Sequence, residues 1–93
     1  MVFEWDEKKN RSNRKKHGVW FEEARSVFED DMALVFLDGA HSGKEERFLI
    51  IGTNSFGMNL IVVHCFRKND EVIRIISARK TTKREKMTYE KGI

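Results

Sequence analysis

The stretch that decides the fold is FLIIGTNSFGMNLIVVHCF, residues 48–66, nineteen consecutive positions without Asp, Glu, Lys or Arg. It is broken once, at Asn54-Ser-Phe-Gly57, where Asn and Gly supply turn chemistry. Two strands joined by a hairpin follow, Arg47–Thr53 and Met58–Phe66. Both are apolar on both faces at their centres, which predicts a sheet covered by helices on one face and in part on the other. Upstream, Ala33–Leu37 is a short apolar run of strand type. Downstream, Asn69-Asp70 marks a tight turn into Val72–Ala78.

The flanks carry the helices. Asp6 is a good N-cap and Gly18 a good residue to end on, which brackets a helix over about 7–17. Its regular face is Asn10, Asn13 and His17, with no aliphatic residue on it, so Phe3 and Trp5 just before it are expected to anchor it. Phe21, Ala24, Val27 and Phe28 fall at the spacing of a second amphipathic helix, about 21–29. Thr82-x-x-Glu85 is a capping box that opens a last helix over about 83–91, ending before Gly92. The expected fold is therefore α+β: two N-terminal helices, a four-stranded antiparallel meander sheet and a C-terminal helix, in one domain over residues 1–93.

Charge is segregated in blocks. Residues 8–17 hold six cations and no acid, residues 18–47 eight acids against three cations, and residues 67–93 nine cations against four acids. The formal net charge of +3 hides this pattern, which puts polyanions first among partners. No apolar run approaches the roughly 20 residues that span a bilayer, and no secretory signal is visible. The lone Cys65 has neither a second thiol nor an adjacent cation and reads as a small core hydrophobe, with a reducing cytoplasm as the simplest home.

Several chemistries lack their signatures. Histidines 17, 41 and 64 with one cysteine do not make zinc spacing, and no Walker, dinucleotide or nucleophile-elbow motif occurs. No cofactor and no metal are expected. His64 alternates with Leu60 and Val62, as a core histidine would. The remaining chemistry is cationic. Arg74, Arg79, Lys80, Lys83, Arg84 and Lys86 interleave with Tyr89, and Lys9, Lys16, His17 and Arg47 add to them. Such a set can neutralise phosphates and stack a base. Lys8, Lys15, Lys86 and Lys91 read better as solvated helix residues. Arg47, Arg74 and Arg79 sit in or beside apolar strands, where an unpaired guanidinium is costly; Glu45, Glu46 or Asp38 are candidate partners. Arg74 and Arg79 differ by five, so they share a face only if the strand bulges or ends near Ala78.

Taken together, Phe3-Glu-Trp-Asp6-x-x-Lys9, Asn13-x-x-Lys16-His17-Gly18-Val19-x-Phe21-Glu22-Glu23-Ala24, Asp38-x-x-His41-Ser42-x-x-Glu45-x-Arg47, Ile51-Gly52, Arg74-Ile-Ile-Ser-Ala-Arg79, Arg84-Glu85 and Tyr89 resemble the BrnT toxins over nearly the whole chain. Glu7 stands where that family often has proline, and Thr81 where alanine is common; both lie at helix starts and concern capping. The resemblance implies a type II toxin–antitoxin toxin of RelE-like fold. It would be a cytoplasmic protein that cleaves RNA, inhibits translation and growth, and is neutralised by a small antitoxin, BrnA. A homodimer or a toxin2–antitoxin2 assembly is expected.

For a metal-independent endoribonuclease, a base must take the 2′-hydroxyl proton, cations must hold the phosphorane charge, and an acid must protonate the leaving oxygen. The products are a 2′,3′-cyclic phosphate and a 5′-hydroxyl. Arg74 and Arg79 suit the charge, Arg47 a third cation or clamp, His17 the acid or base, and Tyr89 a stacking platform or weak acid. Lys9, Lys16, Lys80, Lys83 and Arg84 suit RNA binding. Glu85 could act as a base, though its capping box explains it. A non-catalytic RNA- or DNA-binding module, and a docking domain for an acidic partner, fit the same charges.

Overall fold

Asp6 opens the first helix by accepting the N–H groups of Lys8 and Lys9 at 2.8 and 3.2 Å, and Gly18 closes it in the left-handed region at φ 75°. In the computed structural model, which describes residues 1–39 and 45–92, this helix α1 is Glu7–His17. It is followed by α2, Phe21–Ala24, which tightens into a 3-10 turn at Arg25–Glu29 where one α-helix over 21–29 was expected. The strands are β1 (Val2–Glu4), β2 (Leu34–Leu37), β3 (Phe48–Thr53), β4 (Asn59–Arg67) and β5 (Val72–Lys80). The capping box at Thr82 and Glu85 is formed as read, and α3 runs Lys83–Lys91. Among the described residues, no helix is long and apolar enough to cross a membrane.

The sheet corrects the expected four-stranded antiparallel meander. Among the described residues it has five strands in the order β1-β5-β4-β3-β2, and β1 lies parallel to β5 with Phe3 opposite Ile73. The aromatic anchor read before α1 is thus itself a strand. Phe3 turns inward to meet the Phe28 ring at 5.4 Å, and Trp5 meets Phe21 at 6.0 Å. Three residues are too few to show a period of two, and the pairing partner lies some seventy residues away in sequence.

One face of the sheet carries the core. Val19, Phe21, Ala24 and Val27 pack on Ile50, Leu60, Val62, Ile73, Ile75 and Ala78, all buried. Gly52 is required here: a Cβ would stand 2.9 Å from Val27 Cγ1 and 3.2 Å from the Asp30 carboxylate. That close approach lets Asp30 Oδ2 accept the Thr53 N–H at 2.8 Å. His64 is a buried core histidine, edge-on to Phe28 at 4.8 Å and beside Phe48 and Phe66. Burial pushes its pKa down, so it sits there neutral.

The polar face of α1 has a structural use. β1 covers β5 only as far as Arg74, and beyond it the outer edge of β5 needs another partner. Asn13 supplies one: its Oδ1 accepts the Ala78 N–H at 3.1 Å, and its Nδ2 donates to the Ala78 and Val19 carbonyls at 2.8 and 2.9 Å. Asn10, fully buried one turn earlier, accepts the Phe21 N–H at 2.8 Å and donates to Glu22 and Glu7. Asn13 thereby holds α1 to the sheet and Asn10 holds it to α2, where aliphatic contacts are missing.

Asn13→Ala leaves buried Ala78 N–H and C=O groups without partners. It should cost about 2–4 kcal/mol of unfolding free energy in urea denaturation, at about 1–3 kcal/mol per orphaned group. A loss under about 0.5 kcal/mol, the size of an ordinary surface change, would contradict the role.

Candidate functional site

Among the described residues, the opposite face of the sheet is covered only at one end, by α3. There Tyr89 donates its hydroxyl to Asp30 Oδ2 at 2.6 Å and accepts from Thr53 Oγ1 at 3.2 Å. The rest of this face is a groove of about 390 Å3. Its floor is Leu49, Ile61, Val63, Ile76 and Ser77; its polar walls are Asp38, Arg47, Arg79 and Glu85.

A bulge in β5 determines which side chains arrive there. Val63 pairs with Ser77 and His64 with Ile75, so Ile76 is an extra residue on β5. Ile73, Ile75 and Ala78 therefore face the helices, while Arg74, Ser77 and Arg79 share the other face, opposite Cys65, Val63 and Ile61. The condition set by the five-residue spacing of the two arginines is met by this irregularity.

Arg79 is held by the carboxylate of Glu85 through two parallel bonds, Nη1 to Oε1 and Nη2 to Oε2, both 2.8 Å. Glu85 Oε1 also accepts the Thr82 N–H at 2.8 Å, so one carboxylate caps α3 and orients the guanidinium. The Arg79 hydrogen bonds, ahead of the capping bond, bring the Glu85 pKa down to about 2. The same pairing raises that of Arg79. Arg74 lies on the same sheet face but outside the groove, bound to Glu4 at 2.8 Å, and the neighbouring Arg67 contacts both Glu4 and Glu45. The carboxylate partners are thus Glu4 and Glu85 for the two strand arginines rather than Glu45, Glu46 or Asp38. Arg47 enters the groove from the start of β3, where its carbonyl accepts the Asp38 N–H at 2.8 Å.

The expected site residues thus divide. Arg47 and Arg79 line one groove. His17 is half-buried at the end of α1, and Tyr89 is engaged with Asp30 and Thr53; neither lines the groove. The Asp30 hydrogen bond raises the Tyr89 pKa, which makes it a weaker acid. Lys80, Lys83 and Arg84 are exposed around the β5–α3 junction beside Arg79, and Lys9 and Lys16 are exposed on α1. His41 and Ser42 lie outside the described residues. Sequence reasoning gave Asp38 only as an ion-pair partner and Glu85 as a cap or possible base, and did not place either in the groove with Arg47 and Arg79. The available signal was weak: Glu85 follows Arg79 by six residues across a strand-to-helix turn. Among the described residues, no three His, Cys, Asp or Glu side chains gather as a metal site.

The depressed Glu85 pKa has a definite sign. Its pairing contributes full stability above the usual carboxyl value of 4.5 and loses it as pH falls through about 2. In an NMR pH titration the Glu85 carboxyl should ionise near 2, and Arg79→Gln should move it back toward 4.5. A wild-type midpoint near 4.5 would show that the pair does not form.

Comparison with known proteins supplies a setting for this groove. No curated protein matches the chain significantly. The chain is similar to the Brucella abortus ribonuclease toxin BrnT, solved by crystallography at 1.1 Å, with a TM-score of 0.68 and 24% identity over 89% of this chain and 100% of that one. At that identity the likeness speaks for the fold. Residues 5–85 match the sequence model of the ribonuclease toxin BrnT of type II toxin–antitoxin systems. That match spans most of the 93 residues, from Trp5 through the groove to Glu85, and the chain belongs to the BrnT family of ribonuclease toxins.

Proposed function

We propose that this chain is a metal-independent endoribonuclease whose reacting centre is the groove between Arg47 and Arg79. It acts in the cytoplasm as the toxin of a toxin–antitoxin pair, slowing translation and growth until a small BrnA-like antitoxin binds it, in a toxin2–antitoxin2 assembly. The observation that carries this reading is the pairing of two guanidiniums over an apolar floor in one hollow of a ribonuclease-toxin fold. Apolar walls limit water and strengthen each charge contact with a phosphodiester.

The 2′-hydroxyl oxygen attacks the adjoining phosphorus after giving up its proton, and the 5′-oxygen leaves with a proton. This yields a 2′,3′-cyclic phosphate and a 5′-hydroxyl. Arg79 is pre-oriented by Glu85, which takes one N–H from each terminal nitrogen of a group that has five donors in all. Nη1 also donates to the Lys80 carbonyl at 3.3 Å, and the two donors left, with Arg47, stabilise the phosphorane charge. Glu85 itself, with a pKa near 2, is a feeble proton acceptor at neutral pH. Asp38 is the other carboxylate lining the groove, and we assign it the base. Arg74, on the same face, together with Lys80, Lys83 and Arg84 at one end and Lys9, Lys16 and His17 on α1, tracks the RNA backbone. Tyr89 holds α3 in place.

A second reading has its own support: Arg79 is already neutralised by Glu85 in the resting protein, as suits a groove that binds RNA without cleaving it.

A 5′-labelled RNA oligonucleotide separates the two. Cleavage should persist in EDTA, end in a cyclic phosphate, and vanish when a 2′-deoxy residue precedes the scissile bond. Arg79→Ala and Arg47→Ala should each lower kcat by roughly 10²–10³, the loss of one transition-state charge contact, with the far-UV spectrum unchanged. Asp38→Asn should lower kcat while sparing RNA affinity. Intact RNA bound in the groove would favour the binding module, and wild-type rates in Arg79→Ala would remove that residue from the centre.

A further inference from the structure

The helix-bearing face is only half covered. Beyond the 3-10 turn, a second groove of about 490 Å3 crosses the sheet, floored by Ile50, His64, Phe66 and Ile73 and walled by Phe28. It runs out at the β2 edge, where Val35 lines it; Leu37 lies on the same face, and both are 57% exposed. An adjoining hollow of about 660 Å3 past Phe48 shares Phe66 with it. The floor residues Ile50, His64 and Ile73 are themselves buried, so the apolar surface open to a partner is the exposed Val35 and Leu37 with the half-buried Phe28, Phe48 and Phe66, a contiguous patch of the kind that marks an interaction site.

Its rim is acidic. Among the described residues, Glu29, Glu45, Glu46 and Asp70 line the two hollows against two cationic groups, the Met1 ammonium, which borders both, and Arg25, whose guanidinium lies over the Phe3 ring at 5.2 Å. Glu45 is bound to Arg67, so among the described residues Glu29, Glu46 and Asp70 are the rim carboxylates with no ion pair. A fitting occupant presents apolar side chains flanked by cations. The groove lies across the strands, and five strands at about 4.8 Å separation span about 19 Å, the length of about 13 helical residues. Among the described residues, no helix of this chain could fill that role for a second copy. α1 has the charge, but its buried face is Asn10 and Asn13, and α3 exposes one large apolar residue, Met87.

We propose that this acidic-rimmed groove is a docking site for a basic amphipathic helix of a different protein chain. The site lies across the sheet from Arg47 and Arg79, so its occupant and an RNA in the other groove do not compete for contacts. Docking follows the helix-in-groove mode, with apolar anchors supplying affinity and the rim supplying orientation and rate.

The test uses a synthetic helix of about 16 residues, with leucines at i, i+3, i+4 and i+7 flanked by lysines, and a twin with glutamates in place of lysines. Added to the methyl-labelled full chain, the lysine peptide should shift the Val35, Leu37, Ile50 and Ile73 methyls and leave Leu49, Ile61 and Val63 unmoved. The glutamate twin should shift none of them. Charge reversal at three rim positions (Glu29→Lys, Glu46→Lys, Asp70→Lys) should weaken the lysine peptide by about tenfold or more, at up to about 1 kcal/mol per rim charge. Shifts confined to the Arg47–Arg79 groove, equal binding by both peptides, or no shift at millimolar peptide would each overturn the proposal. So would sedimentation showing that the groove is filled by a second copy of this chain.

Discussion

One extra residue in β5 divides this molecule's labour between its two faces. Ile76 has no partner opposite the Val63–His64 step, and everything after it is turned over. Without that residue, Ala78 would leave the core and Arg79 would point into it, among Val62, Leu60 and the helices. A guanidinium there could keep its charge only beside a buried carboxylate. With the bulge, Ile73, Ile75 and Ala78 complete the packed layer while Arg74, Ser77 and Arg79 line the other side. Bulges are a common means of aiming a side chain beside a site, and this one also sets where Asn13 finds the Ala78 backbone.

The open face then follows from composition. Strands apolar on both sides, in a chain with few helices to lay on them, leave uncovered aliphatic surface that must be used. The structure uses it as a groove floor, and closes one end by tying α3 down through Asp30, Tyr89 and Thr53. Arginines beside such a floor lose some hydration, and Glu85 and Glu4 compensate Arg79 and Arg74 while no polyanion is bound. Under the proposed function, a phosphodiester entering the groove would meet an Arg79 guanidinium already fixed in direction by Glu85, which would lower the reorganisation needed on binding.

Local signals in the sequence located the helices well and the long-range pairings poorly. Asp6 with Gly18, and Thr82 with Glu85 and Gly92, fix α1 and α3 because capping is a contact between near neighbours. The Asn54–Gly57 turn and its two strands are equally local. β1 escaped because a three-residue parallel strand announces itself only through a partner far along the chain. The unusual Asn10 and Asn13 face was visible as a polar stripe, while its partners, the Phe21 and Ala78 backbones, were not. The shared face of Arg74 and Arg79 could be stated as a condition. Nothing in Arg-Ile-Ile-Ser-Ala-Arg marks which residue bulges. Tyr89 and His17 were grouped with the arginines by residue chemistry, and the fold places both outside the groove.

The central claim is that RNA enters the face carrying Arg47 and Arg79. The most direct measurement is NMR mapping with a 2′-O-methyl RNA oligonucleotide, which binds without being cleaved. The Nε–H resonances of Arg47 and Arg79 and the Leu49, Ile61, Val63 and Ile76 methyls should move together as RNA is added. Movement confined to α1 or to the helix-bearing face, with the Arg79 resonance unchanged, would contradict the account.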